Sequence, residues 1–338
     1  MIMDSRTSET FKEISGVIGN TPLIEIVFKY KESIRRVYSK LEYFNLTGSI
    51  KDRIAYYMLY KAYEEGRLYN GMHIAEATSG NTGISFAAIG SILGNNTVIY
   101  MPKWMSSERI KLLESYGADV KLVSREDGGF IGCIQKCQQL AYANPGIFLP
   151  SQFSNPNNTS AHFLGTGPEI VETMKHHSLI PDAVAAGVGT GGTIMGIGEY
   201  IRRTNRYAGI YPIQPANSPI LSTGRKMGSH RIQGISDDFI PELLKLERVN
   251  DILSVDDGDA IIMSQKLSSQ LGLGVGISSG ANFLGAVMAQ ERLNPQASVV
   301  TVFPDDNKKY LSTDLMKEEP VKTGFIAPQI ELLSFKRL

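Results

Sequence analysis

Short apolar runs alternate with longer stretches of helical spacing, and glycine-rich turns separate the two along most of the chain. Val98-Ile99-Tyr100-Met101 reads as a strand, residues 107–116 as the helix that follows, and Val120-Lys121-Leu122-Val123 as the next strand. Ala183-Val184-Ala185-Ala186 and Val299-Val300-Thr301-Val302-Phe303 are continuous apolar runs, the pattern of parallel strands covered on both faces. Residues 130–143 and 194–201 carry helical spacing. Such alternation predicts an α/β architecture. Turn residues cluster over Ala143-Asn144-Pro145-Gly146 to Asn155-Pro156-Asn157-Asn158, which puts a domain boundary there. No internal repeat or low-complexity linker interrupts the pattern. Near the end, residues 325–333 are apolar enough to dock on a neighbouring surface.

With 338 residues, 42% of them hydrophobic, the chain can build two domains with sizeable cores. Thirty-four Lys and Arg balance thirty-four Asp and Glu, so no net field steers nucleic acid or an anionic membrane. No apolar run is long enough to span a bilayer and residues 1–10 are polar, so the expectation is a soluble, cytoplasmic protein. The two cysteines, Cys133 and Cys137, fall on one face of a predicted helix. An intrahelical disulfide is geometrically poor and no histidine set completes a metal site, so both read as reduced, core-facing thiols.

Chemistry concentrates in glycine-rich turns. In Asn45-Leu46-Thr47-Gly48-Ser49-Ile50-Lys51-Asp52-Arg53 a lysine is ringed by small residues, which leaves its amine unhindered for attack on an aldehyde carbon. Thr78-Ser79-Gly80-Asn81-Thr82-Gly83 is a turn dense in hydroxyls, an amide and backbone donors, suited to a carboxylate. Gly187-Val188-Gly189-Thr190-Gly191-Gly192-Thr193 lies between the strand at 183–186 and the helix at 194–201. Strand, glycine turn and helix together cradle a phosphate. No acidic residue is placed to hold a ribose and no G-K-[ST] follows, so a compact monophosphate is the better guest than a dinucleotide or a triphosphate.

Two more runs, Gly276-Ile277-Ser278-Ser279-Gly280-Ala281 and Phe303-Pro304-Asp305-Asp306-Asn307-Lys308-Lys309-Tyr310-Leu311-Ser312-Thr313, complete an ordered set. Further members are Gly19-Asn20-Thr21-Pro22-Leu23, Met105-Ser106-Ser107-Glu108-Arg109, Gln152-Phe153-Ser154-Asn155-Pro156, Thr166-Gly167-Pro168-Glu169-Ile170 and Gly234-Ile235. From about residue 14 to residue 313 the chain resembles the cysteine synthase and cystathionine β-synthase family, the fold-type II enzymes that use pyridoxal 5'-phosphate. The resemblance implies a tryptophan synthase β-like fold: two α/β domains, each a central twisted sheet flanked by helices. An N-terminal domain would span 12–150, with a subdomain at 97–140 that moves on substrate binding. A C-terminal domain would span 151–313, and 314–338 would be a tail. The first strands after Thr21 would cross to the C-terminal domain, and the protein would be a homodimer.

Roles follow from the same resemblance. Lys51 would hold the cofactor as a Schiff base and then remove the substrate α-proton, and Asn81 would bond the ring hydroxyl. Gly189, Thr190, Gly191, Gly192 and Thr193 would hold the phosphate. Ser278 would face the pyridine nitrogen, Pro304 and Asp305 would border the cofactor, and Tyr310 would support its ring. Thr78, Ser79, Gly80, Thr82, Gln152 and Gly234 would bind substrate. Because a hydroxyl at Ser278 cannot protonate the ring nitrogen firmly, expulsion of a β-substituent through an aminoacrylate would compete well with transamination or racemisation.

Departures from the family pattern sharpen the expectation. Leu46-Thr47 stands where a proline is usual, as does Ala77, and both changes only loosen turns. Asp237 and Asp238 replace the small neutral residues of ordinary cysteine synthases, and cystathionine β-synthases have an acidic residue matching Asp238. Two carboxylates at the substrate entrance would repel hydrosulfide and could accept a proton from water or a thiol. The sequence therefore points to an enzyme that takes L-cysteine, releases hydrogen sulfide and adds water, cysteine or homocysteine, giving serine, lanthionine or cystathionine. Alternatives are an O-acetylserine sulfhydrylase, a synthase joining an activated serine to an amine, and a catalytically silent relative that binds partners.

Overall fold

The apolar runs fold into eleven strands in two sheets among the residues described by the computed structural model, which are 3–235 and 238–338. Strands β1 (Leu23–Tyr30) and β2 (Ser33–Leu41) form a hairpin whose two turn residues, Lys31 and Glu32, both have positive φ, 48° and 60°. That handedness matches the twist of the flanking strands. Strands β3 (His73–Ala77), β4 (Thr97–Pro102), β5 (Asp119–Val123) and β6 (Ile147–Phe148) make a parallel sheet in the order β5-β4-β3-β6.

The larger sheet joins the hairpin to β7 (Ala183–Gly187), β8 (Gly209–Pro215), β9 (Leu253–Val255), β10 (Val299–Phe303) and β11 (Glu331–Arg337), in the order β11-β1-β2-β10-β7-β8-β9. From β2 to β9 every pairing is parallel, whereas β1 runs antiparallel to both of its neighbours. The N-terminal hairpin thus lies in the sheet built mainly from the second half of the chain.

Both faces of that sheet are covered, which is why its central strands read as unbroken apolar runs. Ile26, Phe28, Phe283 and Phe303 pack on one side; Val184, Ile194, Ile197 and Val300 pack on the other. Each such side chain contributes roughly 1.5–3 kcal/mol by leaving water. Cys133 and Cys137, on the helix Gly129–Ala143, are free and buried against Ala75 and Ala77 of β3. Burial lifts the Cys133 thiol to about 12 and the Cys137 thiol higher still, so both stay protonated.

The apolar stretch of the tail does dock, and it does so as a strand. Strand β11 pairs with β1 at the sheet edge, Phe335 opposite Ile26, with Leu332 buried. In parallel sheets the loops that can carry chemistry gather at the carboxyl ends of the strands. Here the ends of β3, β7 and β10 face one another across a single cleft.

Candidate active site

Lys51 opens the helix Lys51–Glu64 and lines the cleft. The turn before it is held from two sides. Asp52 accepts from the Thr47 N-H and hydroxyl at 2.7 and 2.6 Å, and Ile50 N-H donates to the Pro304 carbonyl at 2.8 Å. Lys309 donates to the carbonyls of Thr47 and Gly48, 3.1 Å each. Gly48 has φ +78°, a conformation that a side chain would strain.

Across the cleft, β3 ends in the turn that starts the helix Asn81–Leu93. Thr78, Ser79, Asn81 and Thr82 all line the space, and so does Gln152. Gly80 precedes that helix as its N-cap. The Thr82 hydroxyl donates to Gln152 Oε1 at 2.7 Å, and Gln152 Nε2 donates to the Ala77 carbonyl at 2.8 Å, so the amide is locked in one orientation. Beneath it lies Glu76, whose carboxylate accepts from the N-H groups of Ala77 and Gln152 at 3.0 and 3.1 Å. Burial pushes this carboxyl up to about 7, even though those donors favour its charged form.

Asn81 Nδ2 and the Tyr310 hydroxyl both donate to Asp305 Oδ2, each at 2.8 Å. Arg109 covers the Tyr310 ring at 4.6 Å. The Asn81 amide oxygen Oδ1 and the other Asp305 oxygen, Oδ1, are buried without a hydrogen-bond partner. Unpaired polar atoms of this kind mark a place built for a polar guest.

The glycine turn after β7 supplies the third wall. Gly189, Thr190, Gly191 and Thr193 line the cleft, and Gly192 begins the helix Gly192–Thr204. A Cβ on Gly189 would stand 2.5 Å from the Gly234 carbonyl, and one on Gly191, where φ is +85°, would stand 2.9 Å from Leu244 N. The first-turn N-H groups of that helix have no intrahelical partner, so they and the helix dipole favour an anion. Behind them His162 joins Thr193 Oγ1 (3.1 Å) to Thr166 Oγ1 (2.9 Å). Burial, helped by the charge of Arg53, holds the imidazole down at about 3, so it stays neutral.

The helix Ile277–Arg292 contributes Ser278 and, one turn on, Asn282, which accepts from Gly187 N-H at 2.7 Å and donates to the Val302 carbonyl at 2.8 Å. Pro304 completes the lining. These features fit pyridoxal 5'-phosphate: an amine, a phosphate turn, a hydroxyl at the far end and orphaned polar atoms between them. We expect Gly189→Ala to cut cofactor retention at least about tenfold, read as loss of visible absorbance with the far-ultraviolet circular dichroism unchanged, because its methyl must displace backbone rather than a side-chain tip.

Sequence reasoning quoted Arg109 and Phe153 without giving them a part, and it passed over Asn282, Glu76, His162 and Phe130. Only Asn282 left a readable signal, its spacing of four from Ser278 on a helix. Phe130, Phe153 and Phe239 form an edge-to-face series, with centroids 5.7 and 5.0 Å apart, at the mouth of the cleft.

Outside this mouth lies a second cavity of about 800 Å³, with Gln233, Gly234 and Ile235 in both walls. Asp238 lines the outer cavity and pairs with Lys226 at 2.5 Å; Asp237 lies outside the described residues. Arg125, Lys226 and Arg231 share this wall with Asp238 and Asp314. Of these cations, Arg125 comes to the loop only through chain folding, which its local sequence could not show.

The family model described as "Pyridoxal-phosphate dependent enzyme" matches residues 14–305. A probable cysteine synthase of Bacillus subtilis is 40% identical over 301 residues, 89% of this chain and 96% of its own. Among solved structures, a hydrogen sulfide-producing enzyme from Fusobacterium nucleatum is 54% identical, covers 98% of this chain and 100% of its own, and superposes with a TM-score of 0.95. An aspartate-to-asparagine variant of that enzyme has been seen with an α-aminoacrylate intermediate. A cysteine synthase from Entamoeba histolytica is 35% identical, covers 93% of each chain and has a TM-score of 0.83. Lysine turn, phosphate cradle and matched sequence converge: this chain belongs to the pyridoxal-phosphate dependent enzyme family.

Proposed function

We propose that the protein cleaves L-cysteine by β-elimination, releasing hydrogen sulfide, and completes the reaction with water or a thiol. With water the balance is cysteine plus water to serine plus hydrogen sulfide. The observation that carries this reading is the 54% identity, over nearly the whole of both chains, with an enzyme that produces hydrogen sulfide. Pyridoxal 5'-phosphate, when bound, supplies the electron sink that makes the α-proton acidic and lets the β-substituent leave.

The chain's own residues do the rest. The Thr78 to Thr82 turn and Gln152 hold the substrate carboxylate, Lys51 takes the α-proton in a partly buried site, and the helix dipole at Gly192 anchors the phosphate. Ser278, a hydroxyl rather than a carboxylate, leaves the ring nitrogen without a strong proton donor and favours elimination. Asp237 and Asp238 act at the entrance on the incoming nucleophile. The aromatic series at the mouth excludes bulk water from the reacting carbons. A cytoplasmic homodimer acting on amino acids belongs to the same proposal.

A second reading, synthesis of cysteine from O-acetylserine and sulfide, is favoured by the 40% identity with a probable cysteine synthase. Sulfide release and product masses from L-cysteine, serine, O-acetylserine and homocysteine separate the two. We expect sulfide from cysteine alone, and about a tenfold or greater fall in that rate for Asp237→Asn or Asp238→Asn. Brisk use of O-acetylserine plus sulfide, with no sulfide from cysteine, would reverse the choice.

A further inference from the structure

Residues 306–338 lie beyond the family match, yet they reach the wall of the outer cavity and Arg231 within it. This guanidinium meets three carboxylates. It donates to Asp257 at 2.7 Å and to both oxygens of Glu319 at 2.6 and 2.7 Å, with Asp314 at 3.5 Å. Its own backbone N-H donates to Asp257 Oδ2 at 3.0 Å. Two of the three acids belong to the C-terminal segment. The carboxylates of Glu319 and Asp257 are almost fully buried, 5% and 6% exposed.

That segment is itself strapped along the helix Asp257–Leu271. Gln265 donates to the carbonyls of Leu315 and Lys317 at 3.0 and 2.7 Å. Asp259 takes the N-H groups of Ile326 and Ala327, each at 2.9 Å. Lys266 donates to the carbonyls of Ala327 (3.0 Å) and Ile330. Glu319 lies against Gly258 of that helix, where a Cβ would stand 2.6 Å from Glu319 Oε1. The strap then continues into β11.

Arg231 stands two residues before Gln233-Gly234-Ile235, the run shared by the two cavities. Neither helix nor strand holds residues 225–235, so no ladder fixes their register. The Gly234 carbonyl nevertheless rests over Gly189, and Ile235 packs on Gly187. We propose that Arg231 is a positioning residue through which the C-terminal strap keeps this run seated on the phosphate turn. Its substrate readout rests on the proposed function; its structural readout does not.

The test uses the full-length holoenzyme with Glu319→Gln and, separately, Arg231→Lys, which keeps the charge but loses the fork. Peptide-resolved hydrogen exchange should rise about tenfold in residues 226–235 while β7 and β10 stay protected. In the same variants kcat/KM for sulfide release should fall about tenfold, chiefly through KM, with cofactor absorbance unchanged. Unchanged exchange in 226–235, or an increase spread evenly over the large sheet, would overturn the proposal. Should the wild type release no sulfide, the function reading fails alone, since exchange still reports on the strap.

Discussion

Lys51→Ala is expected to lower sulfide release from L-cysteine by at least about 10³-fold, since on the proposed function it removes both the covalent anchor and the base. The fold should persist. Alanine is the best helix former, and position 51 is the first residue of its helix, where the side chain points into the cleft rather than the core. Lys51→Arg should be as inactive, because a guanidinium keeps its proton at any pH the enzyme survives. Continuous sulfide detection with matched circular dichroism spectra makes the comparison. Activity within tenfold of wild type in either variant would mean that another group carries the proton.

The second large effect concerns stability. Arg53 forks onto two acids at once: Glu42 at 2.6 and 2.9 Å, and Glu169 at 2.7 and 2.8 Å. Lys40 joins Glu169 at 2.7 Å, and Thr21 donates to Glu42 at 2.6 Å. Burial would raise the Glu42 carboxyl, but the charge and hydrogen bonds of Arg53 prevail and bring it to about 2. Arg53→Met strands a buried carboxylate, and we expect a loss of about 3–5 kcal/mol at pH 7.

Its pH dependence has a definite sign. A carboxyl lowered from 4.5 to about 2 binds fewer protons folded than unfolded in that interval, so it contributes stability above pH 4.5 that is lost as pH falls toward 2. The variant lacks this contribution. The gap between wild type and variant should therefore be wide from pH 8 down to about pH 5 and narrow as pH falls from 4.5 toward 2 in urea unfolding. A constant gap would show that Glu42 is not the group left exposed to the loss.

Because this network joins Thr21, Glu42, Arg53 and Glu169, it ties together three motifs that stand far apart in the sequence and sets the helix that carries Lys51. The motif residues were legible one by one: lysine turn, carboxylate turn, phosphate turn and Ser278 all carry recognisable residue types at fixed offsets. Their salt bridges were not, since nothing in the run containing Arg53 names a carboxylate 116 positions later. Glu76 is a similar case. On sequence it is one polar residue in a short apolar strand, and only the closure of the Gln152 loop over β3 makes it a buried acid near neutrality.

What the amino-acid order fixed alone was local: strand and helix periods, glycines where backbone must bend or approach closely, and an amine with small neighbours. Those follow from steric and hydration rules that act over a few residues. Tertiary structure decided which charges meet. It paired Asp238 with Lys226 and tied Arg231, in the wall of the outer cavity, to acids of the distant C-terminal segment. Coulomb interactions and desolvation depend on separation in space, and separation in space exists only once the sheets have formed.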